Sequence, residues 1–190
     1  LLKIWLLTRS LTFLDPTEKL KFFQTEIETR PGQPGGFLCR RKKMNVQDLM
    51  KALHTAEQLK DTLRHCDTSG GRRESVAEHS WRVSLMAYWI SDEFPEADMN
   101  KVIKMCLIHD LGECFTGDIP TFDKTKADEQ REEQLLQEWV DQLPSPFREE
   151  MTALYQEMEA RETVEAKIYK ALDHLEAVIQ HNESDICFGH

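Results

Sequence analysis

Four polar residues of this sequence occupy positions where helical spacing predicts a buried apolar side chain. His79 lies on the apolar stripe of one predicted helix, His109 and Asp110 close a second, and Asp173 borders the stripe of the last. Two imidazoles and two carboxylates form a mixed nitrogen and oxygen set that suits a divalent metal ion. Burying all four is costly unless a cation or hydrogen bonds compensate. Their types and spacing therefore favour a metal site built from three helices.

Each of these residues also has an ordinary structural interpretation. A lone His79 on an inner face is more often a hydrogen-bonded core histidine than a ligand. The His109-Asp110 pair is also consistent with a cation at a helix C-terminus beside a chance neighbour, and Asp173 with a partner of Lys170. The metal site is favoured because all four occur together.

The elements that must position these residues are predicted to be helices. From Met44 onward apolar residues recur at helical spacing and strand alternation is scarce. The predicted helices are one lined from Val46 to Leu63, one that starts at the capping box Ser75-Val76-Ala77-Glu78, one over 100–111, a charged one over 126–143, one after Pro144-Ser145-Pro146, and a last one over 163–181. Residues 114–125 are predicted to be a loop. The expected fold class is an all-α bundle.

Apolar positions define the inner face of the last predicted helix. Val164, Ile168, Leu172, Leu175 and Val178 form this stripe, and Asp173 lies at its border.

Composition excludes several classes of protein. The 190 residues hold 24 Lys and Arg against 34 Asp and Glu, a net charge of −10, so a nucleic-acid or anionic-membrane binder is not expected. Five cysteines form no C-x-x-C pair, which favours free thiols and a cytoplasmic location. The opening apolar run is too short to span a membrane and is a poor signal peptide.

A domain boundary is predicted between residues 43 and 44. Residues 1–43 carry nine basic and four acidic side chains, whereas the remainder is strongly acidic, and a Pro/Gly-rich stretch over 31–36 separates the two. Residues 1–43 are interpreted as an N-terminal extension or a non-native segment, with Met44 as a suitable natural start. Residues 44–190 form the predicted domain.

Four short motifs together resemble a known family. They are Glu78-His79-Ser80, the segment from Leu107 to Glu113, Thr116-Gly117-Asp118-Ile119-Pro120, and Lys170-Ala171-Leu172-Asp173. In this order they resemble the HD-domain metal-dependent phosphohydrolases, and within them the 5'-deoxynucleotidase-like branch. The resemblance covers roughly residues 44–181 and implies an HD-domain helical bundle. Family members commonly continue with further helix, so it also leads us to expect a substrate wall or dimer surface beyond residue 190.

The resemblance implies a metal centre of four protein ligands. His79, His109, Asp110 and Asp173 match the H…HD…D signature of the family, which leaves coordination positions for water and a phosphate oxygen. The set accepts Mn, Co, Fe, Mg or Zn, and the sequence does not select among them.

The resemblance also implies catalytic and substrate-binding residues. Glu113 matches an acid used beside the metal in catalysis, and Asp118 matches the substrate-site acid of the T-G-D motif. Arg64 lies where the family places a phosphate-binding arginine, although a solvated charge at a helix end is the plain alternative. Relatives often carry an aromatic residue next, where this chain has His65 beside the expected sugar position.

The function implied is hydrolysis of nucleoside 5'-monophosphates, with deoxyribonucleotides as the favoured substrates. The partner is then a nucleotide, without nucleic acid or membrane, and a homodimer fits because small helical domains of this family often pair. Two alternatives stay open: a phosphodiesterase or signalling-nucleotide hydrolase of the same family, and a binding module in which the metal only holds three helices together.

Overall fold

The structure is a computed structural model that describes residues 44–120 and 122–184. The predicted extension over 1–43 lies outside the described residues. The chain divides into two compact units, Leu1–Met50 and Lys51–His190. Of the first unit the structure describes residues 44–50, and all other described residues belong to the second unit.

Helices dominate the described residues, which confirms the predicted fold class. In chain order the elements are α1 (Val46–Glu57), β1 (Leu63–Asp67), β2 (Arg73–Ser75), α2 (Val76–Trp89), α3 (Met99–Ile108), α4 (Glu113–Thr116), α5 (Lys126–Val140), α6 (Phe147–Ala160) and α7 (Val164–Glu183). Short 3₁₀ turns lie over Gln58–Lys60 and Ser91–Glu93. No helix in the described ranges has the length and apolar character that a membrane span requires.

The hydrophobic core lies between α2, α3, α6 and α7. It is formed by Val83, Ala87, Met99, Val102, Met105, Cys106, Leu154, Met158, Ile168, Tyr169 and Leu172. Burial of these side chains fixes α3 against α2 and α7, which are the three elements expected to carry the candidate ligands.

A small antiparallel hairpin replaces the end of the first predicted helix. Helix α1 ends at Glu57, and Leu63–Asp67 form β1, which pairs with β2. The prediction failed because Leu59 and Leu63 have helical spacing, yet Leu63 is 51% exposed. Burial along β1 alternates instead, with Arg64 and Cys66 facing inward. Arg64 is thus on a strand, so its interpretation as a solvated charge at a helix end was wrong.

The predicted start of α2 is confirmed in detail. The Ser75 side chain accepts a hydrogen bond from the backbone N–H of Glu78, and the Glu78 carboxylate accepts one from the backbone N–H of Ser75. This capping box satisfies N-terminal donors of the helix. Because β2 ends at Ser75, the hairpin leads directly into the helix that carries His79.

Helix α3 ends one residue before His109. The backbone carbonyl of Ile108 accepts a hydrogen bond of 2.7 Å from the Tyr155 hydroxyl, which satisfies one of the last carbonyls of the helix. The chain then turns and forms α4, although the sequence predicted a loop from residue 114. A helix of four residues is a single turn, which is too short to be recognised from hydrophobic periodicity.

The buried face of α7 differs from the predicted stripe. Leu175 and Val178 are 49% and 57% exposed, whereas Glu176 and Gln180 are 0% and 4% exposed. Strand β1 packs on this side of α7, and Gln180 donates a hydrogen bond of 2.8 Å to the backbone oxygen of Asp67. Polar partners from the hairpin therefore allow polar α7 residues to be buried.

Candidate metal centre

The four predicted ligands lie together although they come from three parts of the chain. His79 Nε2 lies 3.3 Å from His109 Nε2 and 3.2 Å from Asp173 Oδ1. Asp110 Oδ2 lies 3.1 Å from His109 Nε2 and 3.7 Å from His79 Nε2. Helices α2 and α7 supply His79 and Asp173, and the residues that follow α3 supply the other two.

These separations fit a single ion. Metal bonds to imidazole and carboxylate of about 2.0–2.2 Å put neighbouring ligand atoms roughly 3–3.5 Å apart in tetrahedral or octahedral geometry. The ligand atoms of His79, His109 and Asp173 all lie within 4.8 Å of one another, and Asp110 contacts both imidazoles. The described residues thus bring together two nitrogen and two oxygen atoms of the kinds that bind a divalent metal ion.

Both imidazoles are oriented by an acceptor on the opposite ring nitrogen. His109 Nδ1 lies 2.8 Å from the backbone oxygen of Cys106, and His79 Nδ1 contacts the carboxylate of Glu176. An acceptor at Nδ1 favours a proton there, so Nε2 is the ring nitrogen that can bind an ion once it gives up its own proton.

The electrostatics of the cluster favour a positive charge at its middle. Burial opposes the charged form of His109, but Asp110 and Asp173 outweigh burial and raise the pKa of its imidazole to about 10. Burial likewise opposes ionisation of Asp173, but hydrogen bonds from His109 and His79 hold the pKa of this carboxyl below its usual range. The same carboxylates would attract a divalent cation.

A second buried cluster lies on the Nδ1 side of His79. The sequence did not predict two of its members, Glu74 and Glu176. Arg64 Nη1 donates hydrogen bonds to Glu74 at 2.7 Å and to Glu176 at 3.3 Å. Glu74 and Glu176 are 3% and 0% exposed. Burial disfavours ionised Glu176, but His79, Arg64 and Arg82 outweigh it and lower the pKa of this carboxyl.

A signal for Glu176 was present in the sequence. It follows Leu172 by four residues, so it lies on the same helical face. A Glu at that position is ordinarily taken as solvated, because charged residues are seldom fully buried unless paired. Recognising its burial required knowing that the hairpin brings Arg64 against α7.

Glu113 lies at the first residue of α4, next to the metal ligands. Its Oε2 atom is buried and makes no hydrogen bond within the described ranges. Burial raises the pKa of this carboxyl, and the nearby carboxylates of Asp110 and Asp118 raise it further, to about 9. Such a shift is common for an acid that handles protons in a reaction.

The structure also brings His65 and Asp118 near each other. His65 Nδ1 lies 3.5 Å from Asp118 Oδ2, and the two side chains are 57% and 18% exposed. They come from β1 and from the residues after α4. The T-G-D motif and the residue after Arg64 therefore lie close to each other.

An open cavity of about 850 Å³ adjoins His109, Asp110 and Glu113. Its cationic lining residues are Lys124, Lys126, Arg161 and Lys170. Arg64, His65 and Asp118 do not line this cavity. Its volume lies in the range of small-molecule sites.

Comparison with known proteins decides the family. The sequence model of the HD domain family matches residues 56–186, which is more than half of the chain. This chain belongs to the HD domain family. The match contains all four candidate ligands as well as Arg64, Glu113 and Asp118, and it confirms the resemblance inferred from the motifs.

Individual HD-domain relatives carry names related to nucleotides or phosphate. The human protein 5'-deoxynucleotidase HDDC2 is 34% identical over 114 residues, which cover 59% of this chain and 55% of the relative. The Danio rerio protein of the same name is 38% identical over 112 residues, which cover 58% of this chain and 55% of the relative. The chain spans about half the length of these curated relatives.

A solved structure shares the fold. The crystal structure of a predicted metal-dependent phosphohydrolase from Magnetospirillum magnetotacticum superimposes with a TM-score of 0.66 at 33% identity. The match covers 73% of this chain and 71% of that protein. The helical bundle described above is thus the HD-domain architecture.

Proposed function

We propose that this HD-domain protein is a metal-dependent phosphomonoesterase that converts nucleoside 5'-monophosphates to nucleoside and phosphate, with deoxyribonucleotides favoured. The observation that carries this proposal is the cluster of His79, His109, Asp110 and Asp173 beside the buried carboxyl oxygen of Glu113, which makes no hydrogen bond to any described residue. The names of the curated relatives support the nucleotide class.

Arg64 is the proposed phosphate-binding residue. A divalent ion supplies positive charge that polarises a phosphoryl oxygen and makes water more acidic. Nη1 of Arg64 is fixed by two carboxylates, whereas Nη2 and Nε make no hydrogen bond to another described residue. A guanidinium anchored at one nitrogen keeps its other donors in a fixed orientation for a phosphate group.

Glu113 and Asp118 are the proposed proton-handling residues. Glu113 accepts a proton from the attacking water or orients it, because its carboxyl group is buried near the candidate ligands, where a divalent cation would favour the ionised form that accepts a proton. Asp118 either protonates the leaving 5' oxygen or holds a sugar hydroxyl, and its contact with His65 fits both roles.

The burial of Glu113 is evidence against the alternative in which the metal ion only holds the helices together. Such a structural site does not require a buried acid without a partner, and leaving one in place is destabilising. A cytoplasmic location and pairing of two copies stay predictions from the sequence.

The test is phosphate release by metal-stripped protein resupplied with one of Mn, Co, Fe, Mg or Zn. The panel contains deoxyribo- and ribonucleoside 5'-monophosphates, a nucleoside 3'-monophosphate, a phosphodiester and guanosine tetraphosphate. We expect metal-dependent release from 5'-monophosphates, faster for deoxyribonucleotides. Turnover restricted to the diester or to guanosine tetraphosphate supports the alternative hydrolases, and stoichiometric metal binding without any turnover supports the structural site.

A further inference from the structure

Glu176 occupies a position that the proposed reaction does not yet explain. It lies on α7 three residues after the candidate ligand Asp173 and is fully buried. We propose that Glu176 is a positioning residue that holds His79 in the tautomer a metal ion needs and joins this imidazole to Arg64. The first part concerns metal binding alone, and the link to phosphate rests on the proposed function.

The contacts of Glu176 are shared between the two groups. Its Oε2 atom contacts His79 Nδ1 and accepts a hydrogen bond of 3.3 Å from Arg64 Nη1. Its Oε1 atom makes no hydrogen bond within the described part of the chain, and Arg82 Nη1 lies 3.7 Å away. A fully buried carboxylate is stable only with such compensation. Glu176 is therefore held in place by the groups that it orients.

The tautomer follows from the chemistry of this contact. A neutral imidazole carries one N–H, and an ionised carboxylate only accepts hydrogen bonds. When Nε2 gives up its proton to bind an ion, the contact with Glu176 keeps the remaining proton of His79 on Nδ1, and Nε2 faces His109 and Asp173. Metal binding needs the lone pair of Nε2, so Glu176 supports His79 in the form that binds an ion.

Glu74 provides a matched control within the same cluster. Its Oε2 atom accepts a hydrogen bond of 2.7 Å from Arg64 Nη1, as Glu176 does at longer range, and it is also buried. Glu74 makes no hydrogen bond to His79 among the described contacts. A Glu→Gln change at either position removes one buried negative charge from Arg64, but only one of the two changes alters the partner of His79.

The experiment compares the metal affinity of Glu176→Gln and Glu74→Gln in the full chain. Metal-stripped proteins are titrated with Co²⁺ against a competing chelator, and thermal unfolding of the metal-free proteins checks that each is folded. An amide at position 176 can donate to Nδ1 and so move the imidazole proton to Nε2. We expect Glu176→Gln to weaken Co²⁺ binding by about 10–100-fold and Glu74→Gln by less than about threefold.

Steady-state kinetics test the second part of the proposal, which is that Glu176 joins His79 to Arg64. At saturating metal, both variants should raise KM for a nucleoside 5'-monophosphate, because both loosen Arg64. An unchanged KM in both would overturn the link to Arg64. Wild-type protein that binds Co²⁺ tightly but releases no phosphate would contradict the proposed function and leave the metal result valid.

Equal losses of Co²⁺ affinity in the two variants would overturn the role of Glu176, because the loss of a buried negative charge would then explain both. The absence of a loss in either variant would also overturn it.

A measurement on the wild-type protein tests the proposal even if a variant fails to fold. Nitrogen-15 imidazole shifts of the Zn²⁺-loaded protein, with His79 assigned from a His79→Asn spectrum, should show a proton on Nδ1. A proton on Nε2 of His79 would overturn the proposal.

Discussion

At the scale of single residues, types and spacing were enough to predict that four side chains cluster, because imidazoles and carboxylates at positions expected to be buried are unusual. His79, His109, Asp110 and Asp173 were predicted as a set, and the structure places them within reach of one ion. Their assignment as ligands stays a prediction. Glu74 and Glu176 were not predicted, because nothing in the sequence shows that Arg64 lies between them.

The proposed role of Glu113 predicts a rate effect without loss of metal. Glu113→Gln preserves size but removes the base, so kcat should fall by about two to four powers of ten while one equivalent of metal is retained. Metal analysis and phosphate release are the measurements. The exposed Glu138 on α5 supplies a control, because Glu138→Gln makes the same chemical change away from the site. Unchanged turnover in Glu113→Gln would assign Glu113 no catalytic role.

The same residue predicts a pH dependence of stability in the metal-free protein. Burial and neighbouring carboxylates raise the pKa of Glu113 to about 9, whereas the unfolded chain releases this proton near its ordinary value. The folded state thus binds a proton that the unfolded state lacks, and stability falls as pH rises from about 5 to 9. The Tm of Glu113→Gln relative to wild type should increase from pH 5 to pH 9. A pH-independent difference would contradict this assignment.

At the scale of elements, the β1–β2 hairpin is the feature that sequence periodicity did not reveal. Five-residue strands give little alternation, and Leu63 continued an apparent helical stripe. The buried position of Arg64 was therefore not predicted, because its side chain faces inward only as part of a strand, in which successive side chains point to opposite faces. By contrast, the capping box at Ser75 was predicted correctly because capping is local.

The position of Arg64 on this hairpin predicts a uniform effect on substrates. Arg64→Ala should weaken binding of every nucleoside 5'-monophosphate by about 1.5–3 kcal/mol, since all of them share the phosphate. KM across the substrate panel is the measurement. Arg73→Ala serves as the control because Arg73 lies on the paired strand and is 52% exposed. A change in base preference without weaker phosphate binding would contradict the assignment.

His65 predicts an effect on the sugar instead. It contacts Asp118 and projects from the exposed face of β1. His65→Trp places a larger aromatic surface beside the expected sugar position, so the ratio of deoxyribo- to ribonucleotide turnover should change while metal content does not. Competition between the paired substrates measures the ratio. An unchanged ratio would show that His65 does not take part in sugar recognition.

At the scale of the whole molecule, the helical bundle brings residues that are distant in the sequence together in one site. Residue 79 and residue 173 meet because α2, α3 and α7 share one hydrophobic core. Apolar periodicity predicted these helices, but it carried no information about which helices pack together. The boundary between residues 43 and 44 stays a prediction, and the HD-domain match begins at residue 56.

The central claim is that one metal ion, held by these four side chains, supports phosphomonoester hydrolysis. Its most direct test is a titration of metal-stripped protein with Mn²⁺ or Co²⁺, followed by phosphate release from deoxynucleoside 5'-monophosphates. Activity should rise linearly and stop at one equivalent of metal. Asp173→Ala should neither retain metal nor gain activity, whereas His174→Ala, altered at the exposed neighbouring residue, should behave as wild type. Full activity in stripped protein or in Asp173→Ala would contradict the claim.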